Sequence, residues 1–186
     1  YGWVVEINPY TGETQKRTAM GRFAHECAKV VVHSSSGRCA VYSGDDTVGG
    51  CIYKFVAKRS GDLKDGQLYV ANLETGRWIL LDYEQQPILQ KYFVDQTDVL
   101  IQARLASKIV GGTPCDRPED IECDPNTGAL YISLTNNYRT KKNYFGSILK
   151  IEEAEGNPLA LEFESSTFLS GGTKSGFACP DNLQFD

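Results

Sequence analysis

The apolar positions come in short runs, each broken after a few residues by polar turn formers. Trp3-Val4-Val5-Glu6-Ile7, Gln67-Leu68-Tyr69-Val70, Ala129-Leu130-Tyr131-Ile132 and Leu183-Gln184-Phe185-Asp186 all read as strands. Asn8-Pro9-Tyr10-Thr11-Gly12 and Asp124-Pro125-Asn126-Thr127-Gly128 place Asn or Asp, Pro and a closing Gly after such runs, as tight turns between antiparallel strands require. Only residues 98–109 carry apolar side chains at helical spacing, with Asp98 placed to cap. The pattern predicts an all-β chain with one short helical insertion.

A longer self-similarity organises these strands. Arg22-Phe23-Ala24-His25-Glu26, Gly37-Arg38-Cys39-Ala40-Val41-Tyr42 and Gly50-Cys51-Ile52-Tyr53-Lys54-Phe55 have counterparts in Arg117-Pro118-Glu119-Asp120, Gly128-Ala129-Leu130-Tyr131-Ile132 and Gly146-Ser147-Ile148-Leu149-Lys150-Ile151. Glu26 and Glu119 stand 93 residues apart, close to two propeller blades of about 40–45 residues each. A third start, Pro180-Asp181-Asn182-Leu183, follows Glu119 by 62 residues, one blade with an insertion. The expected architecture is a partial β-propeller of about three to four blades over residues 1–186, a single segment of a longer chain. First strands of blades line the central channel, so Glu26, Glu119 and Asp181 are expected to converge there. Carboxylates gathered in this way repel unless a cation lies between them, which points to metal.

Composition narrows the classes. The 186 residues carry a net charge of -5, with 24 acidic against 19 basic residues, so no broad basic face is available for a nucleic-acid backbone. No run approaches the roughly 20 apolar residues of a membrane span, and no signal peptide is visible. The six cysteines lack CxxC spacing. Cys39 and Cys51 flank Asp45 at equal distance, leaving two readings, a cross-strand disulfide centred on Asp45 or buried free thiols.

Two polar stretches carry candidate chemistry. Ser43-Gly44-Asp45-Asp46 offers hard oxygen ligands of the kind Ca²⁺ takes, or else plain turn formers. Asp116-Arg117-Pro118-Glu119-Asp120 sets three acids around an arginine whose backbone Pro118 is expected to hold extended. Arg117 can clamp a phosphate through its planar fork while Glu119 holds a metal; a solvated charged loop is the alternative. His25 is expected to support the site as a hydrogen bonder.

Gly21-Arg22-Phe23-Ala24-His25-Glu26, Tyr42-Ser43-Gly44-Asp45-Asp46 with Ile52-Tyr53-Lys54-Phe55-Val56, Asp116-Arg117-Pro118-Glu119-Asp120, Leu134-Thr135-Asn136-Asn137 and Pro180-Asp181-Asn182-Leu183, in that order, resemble the PhoX family of bacterial alkaline phosphatases. The resemblance implies a propeller with a central site of iron and calcium that hydrolyses phosphomonoesters, exported to the periplasm or beyond. It also implies roles: Glu26, Glu119, Asp181 and Asn182 as oxygen ligands of the metals, Asp45 and Asp46 as further ligands, and Arg117 as the contact to the substrate phosphate. Cys27 stands where the family usually has Gly, and an upstream region carrying further ligands is absent. An incomplete propeller is expected to need its missing blades or to self-associate through exposed edges. The competing functions are a calcium-dependent propeller hydrolase of lactones or esters and a non-catalytic propeller binding module.

Overall fold

The computed structural model describes residues 1–186. A hairpin of β1 (Val5–Ile7) and β2 (Thr14–Lys16) opens the chain. β3 (Lys29–Val32), β4 (Cys39–Gly44), β5 (Ile52–Arg59), β6 (Asp62–Asn72) and β7 (Arg77–Leu80) follow as one antiparallel meander in chain order. After α1 (Gln96–Ile101) and α2 (Ala103–Ile109), a second meander comprises β8 (Pro118–Cys123), β9 (Leu130–Leu134), β10 (Ser147–Glu153) and β11 (Phe163–Ser170). Three antiparallel sheets of two, five and four strands, with no closed barrel, thus make a partial, propeller-like all-β fold. The run Leu183–Asp186, expected as a strand, forms none.

One turn recurs through the chain and accounts for much of this topology. In Asn8–Glu13, His33–Arg38, Asp124–Ala129 and Gly172–Phe177 the first residue's N–H donates to the carbonyl five residues on, while its own carbonyl accepts from the N–H four residues on. That fourth-on residue is Gly12, Gly37, Gly128 or Gly176, each left-handed with φ between +66° and +77° and each preceded by Ser or Thr. Asn72–Arg77 between β6 and β7 has the same sequence form, with Gly76 at φ +65°. A left-handed residue closes the turn in the twist of the flanking strands, and glycine adopts it without steric cost.

The central strands are buried on both faces. On one side Val41, Tyr53, Phe55, Leu68 and Val70 pack with Val99, Ala103 and Ala106 of the helices; on the other Ala40, Tyr42, Ile52, Val56, Tyr69 and Ala71 pack with Ile121, Leu130, Ile132 and Ile151 of the second sheet. Alternate residues of each strand therefore feed separate cores, which is why these strands read as continuous apolar runs. Lys54 lies on the second of these faces, fully buried, and its Nζ reaches Glu153 Oε1 at 2.7 Å and the Ala160 carbonyl at 2.6 Å. Tyr42 Oη and Trp78 Nε1 also donate to Glu153, at 2.6 and 3.1 Å, so one carboxylate ties the two sheets together. Burial outweighs the mutual attraction at both groups: the Lys54 ammonium is pulled down to about 8 and the Glu153 carboxyl pushed up.

Two local expectations change. The helical insertion is capped by Asp95, whose side chain accepts from the Asp98 N–H at 2.8 Å, and it breaks at Gln102 into two helices. Asp98 instead accepts from Gln102 Nε2 at 2.7 Å. The hairpin between Cys39 and Cys51 forms, but its register pairs Ala40 with Val56 and Gly44 with Ile52, which centres it on Val48. Cys39 and Cys51 consequently lie at opposite ends of the hairpin, and all six cysteines are free thiols. No helix is long and apolar enough to cross a membrane.

Candidate functional site

The end of β4 and the start of β8 meet face to face, one from each large sheet. Gly44 makes the approach possible, because a Cβ there would lie 2.3 Å from the Pro118 carbonyl oxygen. The Glu26 N–H donates to the Gly44 carbonyl, and the Cys27 thiol lies 3.5 Å from the Glu119 carbonyl. Burial pushes that thiol up to about 11, so Cys27 stays protonated and offers no thiolate at neutral pH.

Arg117 departs from its expected backbone. It is left-handed, with φ +57°, although a following proline favours an extended conformation. Its carbonyl accepts from the Thr135 N–H at 3.1 Å, Asp116 bridges to Val48, and the β8–β9 register shifts between Pro118 and Ile121. A left-handed non-glycine residue costs about 1–3 kcal/mol, and the surrounding ladder over-determines it. Cys179 repeats the device: it has φ +50°, precedes Pro180, and an acid follows each proline. Arg117 and Cys179 thus share a left-handed φ ahead of a Pro-acid pair, and Thr135 touches both turns, its N–H donating to the Arg117 carbonyl and its Oγ1 to the Pro180 carbonyl at 3.0 Å.

The guanidinium pairs with Asp46 through one hydrogen bond, Nη2 to Oδ2 at 3.1 Å; Nε lies 2.9 Å from Oδ1 without hydrogen-bond geometry, so that buried oxygen has no hydrogen-bond partner, and Nη2 also lies 2.6 Å from Glu119 Oε1. Nη1 is left for a further acceptor. Glu119 is 3% exposed. Burial raises its carboxyl to about 7; the Asp181 carboxyl that hydrogen-bonds to it and the nearby Asp46 add to the rise, while Thr135 and Arg117 oppose it. Asp181 is held in place through its backbone, whose carbonyl accepts from Ser133 Oγ at 2.6 Å, and Leu183 N donates to Asp120 Oδ2 at 2.8 Å. Of the residues singled out from sequence, Asp46, Arg117, Glu119 and Asp181 are brought together.

Others are placed differently. Asp45 does not join this group: it is 1% exposed, its two oxygens accept from Arg104 Nε and Nη2 at 2.7 and 2.5 Å, and Oδ1 also accepts from Ala24 N. That carboxylate is engaged by Arg104 and Ala24 and lies apart from Arg117. Asp116 faces Asn137, Asn143 and Lys141, whose donors hold its carboxyl below the usual range against the effect of burial, and the Asp120 carboxylate accepts from the N–H groups of Leu183 and Ile121. The three acids flanking Arg117 in sequence therefore diverge, and only Glu119 touches it. Glu26 and Asn182 are exposed. His25 stacks on Phe23 at 3.6 Å, with Nε2 3.0 Å from the Gly21 carbonyl and Nδ1 2.8 Å from Ser43 Oγ; burial lowers its pKa. A carbonyl can only accept, so Nε2 carries the proton.

The carboxylates assembled beside Arg117 offer only oxygen ligands, which suits hard cations such as calcium. No three His, Cys, Asp or Glu side chains are gathered closely enough to hold a metal ion by themselves, and two of the carboxylates are neutralised by Arg117. The chain thus supplies part of a hard-oxygen ligand set together with an anion-binding guanidinium. Arg104 was not legible as part of this neighbourhood, because helical spacing alone does not reveal which turn a helix covers.

The sequence matches the family described as alkaline phosphatase PhoX over residues 1–186. The fold is similar to that of PhoX from Pseudomonas fluorescens, solved in complex with vanadate, a transition state analogue, with a TM-score of 0.88 and 33% sequence identity. The alignment covers 100% of this chain and 41% of that one, so the chain spans less than half of that protein's length. No curated protein matches the sequence.

Proposed function

The chain belongs to the alkaline phosphatase PhoX family, and from that premise we propose that it is part of a metal-dependent phosphomonoester hydrolase, a longer parent enzyme working in the periplasm or outside the cell with calcium and iron. The observation that supports this best is the group Arg117, Glu119 and Asp181, an anion-binding fork beside hard-oxygen donors, in a fold whose solved likeness was captured with vanadate. In this reading Arg117 receives the phosphoryl oxygens. Asp46 holds Nε and Nη2 so that the Nη1 edge meets the substrate in one orientation, and the left-handed backbone fixes where the side chain starts.

Glu119, Asp181, Glu26 and Asn182 are assigned to the metal ions as oxygen ligands, with Asp46 shared between Arg117 and the cluster. When bound, those ions supply Lewis-acid stabilisation of phosphoryl charge and activation of an oxygen nucleophile. Near-complete burial of Glu119 keeps water from competing for its carboxylate and makes a cation there the strongest way to hold it ionised. The remaining blades of the parent are assigned the ligands that this chain lacks and cover its outer strands, where Val30, Val32, Phe168 and Leu169 are exposed.

Elemental analysis of the purified full-length parent, with p-nitrophenyl phosphate turnover before and after chelation, tests the reading. Calcium and iron are expected, with turnover lost on chelation and restored on adding the metals back. Turnover that survives complete removal of both metals rejects the metal-dependent mechanism, and a metal-loaded parent without phosphatase activity rejects the function.

A further inference from the structure

Arg104 stands on α2, outside the group around Arg117, yet its only ion pair is with the turn that carries Asp46. Nε lies 2.7 Å from Asp45 Oδ2 and Nη2 2.5 Å from Oδ1, a bidentate fork onto a carboxylate that is 1% exposed. The same turn is fastened to the segment before β3: Ala24 N donates to Asp45 Oδ1, and Asp46 N donates to the Ala24 carbonyl, both at 3.0 Å. On its other side there is no slack, because a Cβ at Gly50 would lie 2.0 Å from the Asp45 carbonyl oxygen. Asp46, the next residue, pairs with Arg117 through a hydrogen bond from Nη2 and a charge contact to Nε. Two arginines therefore hold adjacent aspartates, Arg104 from the helical insertion by a two-pronged fork and Arg117 from the second sheet by a single hydrogen bond.

Arg104 is the only cationic side chain paired with Asp45. Without it, a buried carboxylate keeps a single backbone N–H donor, and its unpaired charge draws the turn toward water. That movement carries Asp46 with it, since the two share a peptide unit. We propose that Arg104 is a positioning residue for the anion site: through Asp45 it fixes Asp46, and through Asp46 the direction in which Arg117 presents its free Nη1 edge. This inference rests on the phosphatase reading for its kinetic consequences, but the coupling from Arg104 to Arg117 is a property of the fold.

The test uses the full-length parent with Arg104→Met and Arg104→Lys, and with Arg77→Met as a control that removes an exposed ion pair elsewhere. For Arg104→Met, KM for p-nitrophenyl phosphate and the inhibition constant of vanadate are expected to rise together by about tenfold, with kcat changed less than about threefold and metal content unchanged. Arg104→Lys keeps the charge and loses the fork, so it is expected to fall between Arg104→Met and wild type. Amide hydrogen exchange is expected to quicken both in residues 44–48 and in residues 115–120 for Arg104→Met, and in neither segment for Arg77→Met. Unchanged KM and vanadate inhibition, or faster exchange that spares 115–120, overturns the inference. Should Arg104→Met fail to fold, wild-type constants and exchange in Arg104→Lys overturn it equally. A parent that shows the exchange changes but no turnover keeps the coupling and rejects the phosphatase reading instead.

Discussion

Gly44 and Pro118 belong to different sheets, and a Cβ added at Gly44 would stand 2.3 Å from the Pro118 carbonyl oxygen and 2.7 Å from that of Glu119. Real side chains do not approach backbone so closely, so Gly44→Ala must push the end of β4 away from the start of β8. Thermal unfolding is expected to show a loss of about 1–3 kcal/mol, the usual cost of overpacking against backbone that cannot move aside. In the parent the same change separates Asp46 from Arg117, so kcat/KM should fall while residues remote from this contact keep their protection from hydrogen exchange.

Arg117 and Glu119 should fail differently when changed in the parent. Arg117→Ala removes the phosphate fork and leaves oxygen donors in place, so metal content holds while kcat/KM for phosphomonoesters falls by the equivalent of about 2–4 kcal/mol. Glu119→Gln removes negative charge from the ligand set, so bound metal, activity and thermal stability fall together. Elemental analysis beside steady-state kinetics separates the two. Loss of metal in Arg117→Ala, or full metal and turnover in Glu119→Gln, reverses the assigned roles.

The buried Lys54–Glu153 pair gives a prediction for the fold itself. Lys54→Met leaves Glu153 with only Tyr42 and Trp78 as donors in a dry interface, and is expected to cost about 3–5 kcal/mol in urea or thermal unfolding. Adding Glu153→Gln removes the stranded charge and should recover part of that loss, giving a non-additive double-mutant cycle. Additive effects would mean that the two sheets are not joined through this carboxylate.

Glu119 also sets a pH dependence in the metal-free chain. Its folded carboxyl is raised to about 7 from the ordinary 4.5, so between those values the folded state holds a proton that the unfolded state has released. Stability conferred by the protonated form is full below about 4.5 and declines as the pH rises toward 7. Metal-free protein should therefore be less stable at pH 7.5 than at pH 5 by about 2–3 kcal/mol from this group, and Glu119→Gln should flatten the slope. Loading metal should abolish it as well, because a cation favours the ionised carboxylate.

Much of the fold was legible because its determinants are local. The Ser-Gly and Thr-Gly turns fix where strands reverse, and short apolar runs between them admit little but strands. Of the ordered acids, Glu119 and Asp181 meet beside Arg117 while the Glu26 side chain is exposed, and Arg117 and Cys179 share a left-handed φ ahead of their prolines. The resemblance to PhoX phosphatases rested on those same ordered motifs, and the family match over the whole chain agrees with it.

What the sequence by itself determined was thus the alternation of strand and turn, the all-β class, the family and the set of polar side chains from which a site could be made. Tertiary structure decided which of those side chains meet. Asp45 and Asp46 are neighbours in sequence, yet one is held by a helix and the other by Arg117, because adjacent residues at a strand end point to opposite sides. Likewise the hairpin register placed Cys39 and Cys51 at opposite ends, Asp95 rather than Asp98 capped the helix, and Arg117 became left-handed despite Pro118. Each of these outcomes depends on contacts between residues far apart in sequence, and such contacts leave no periodic or compositional trace in the chain.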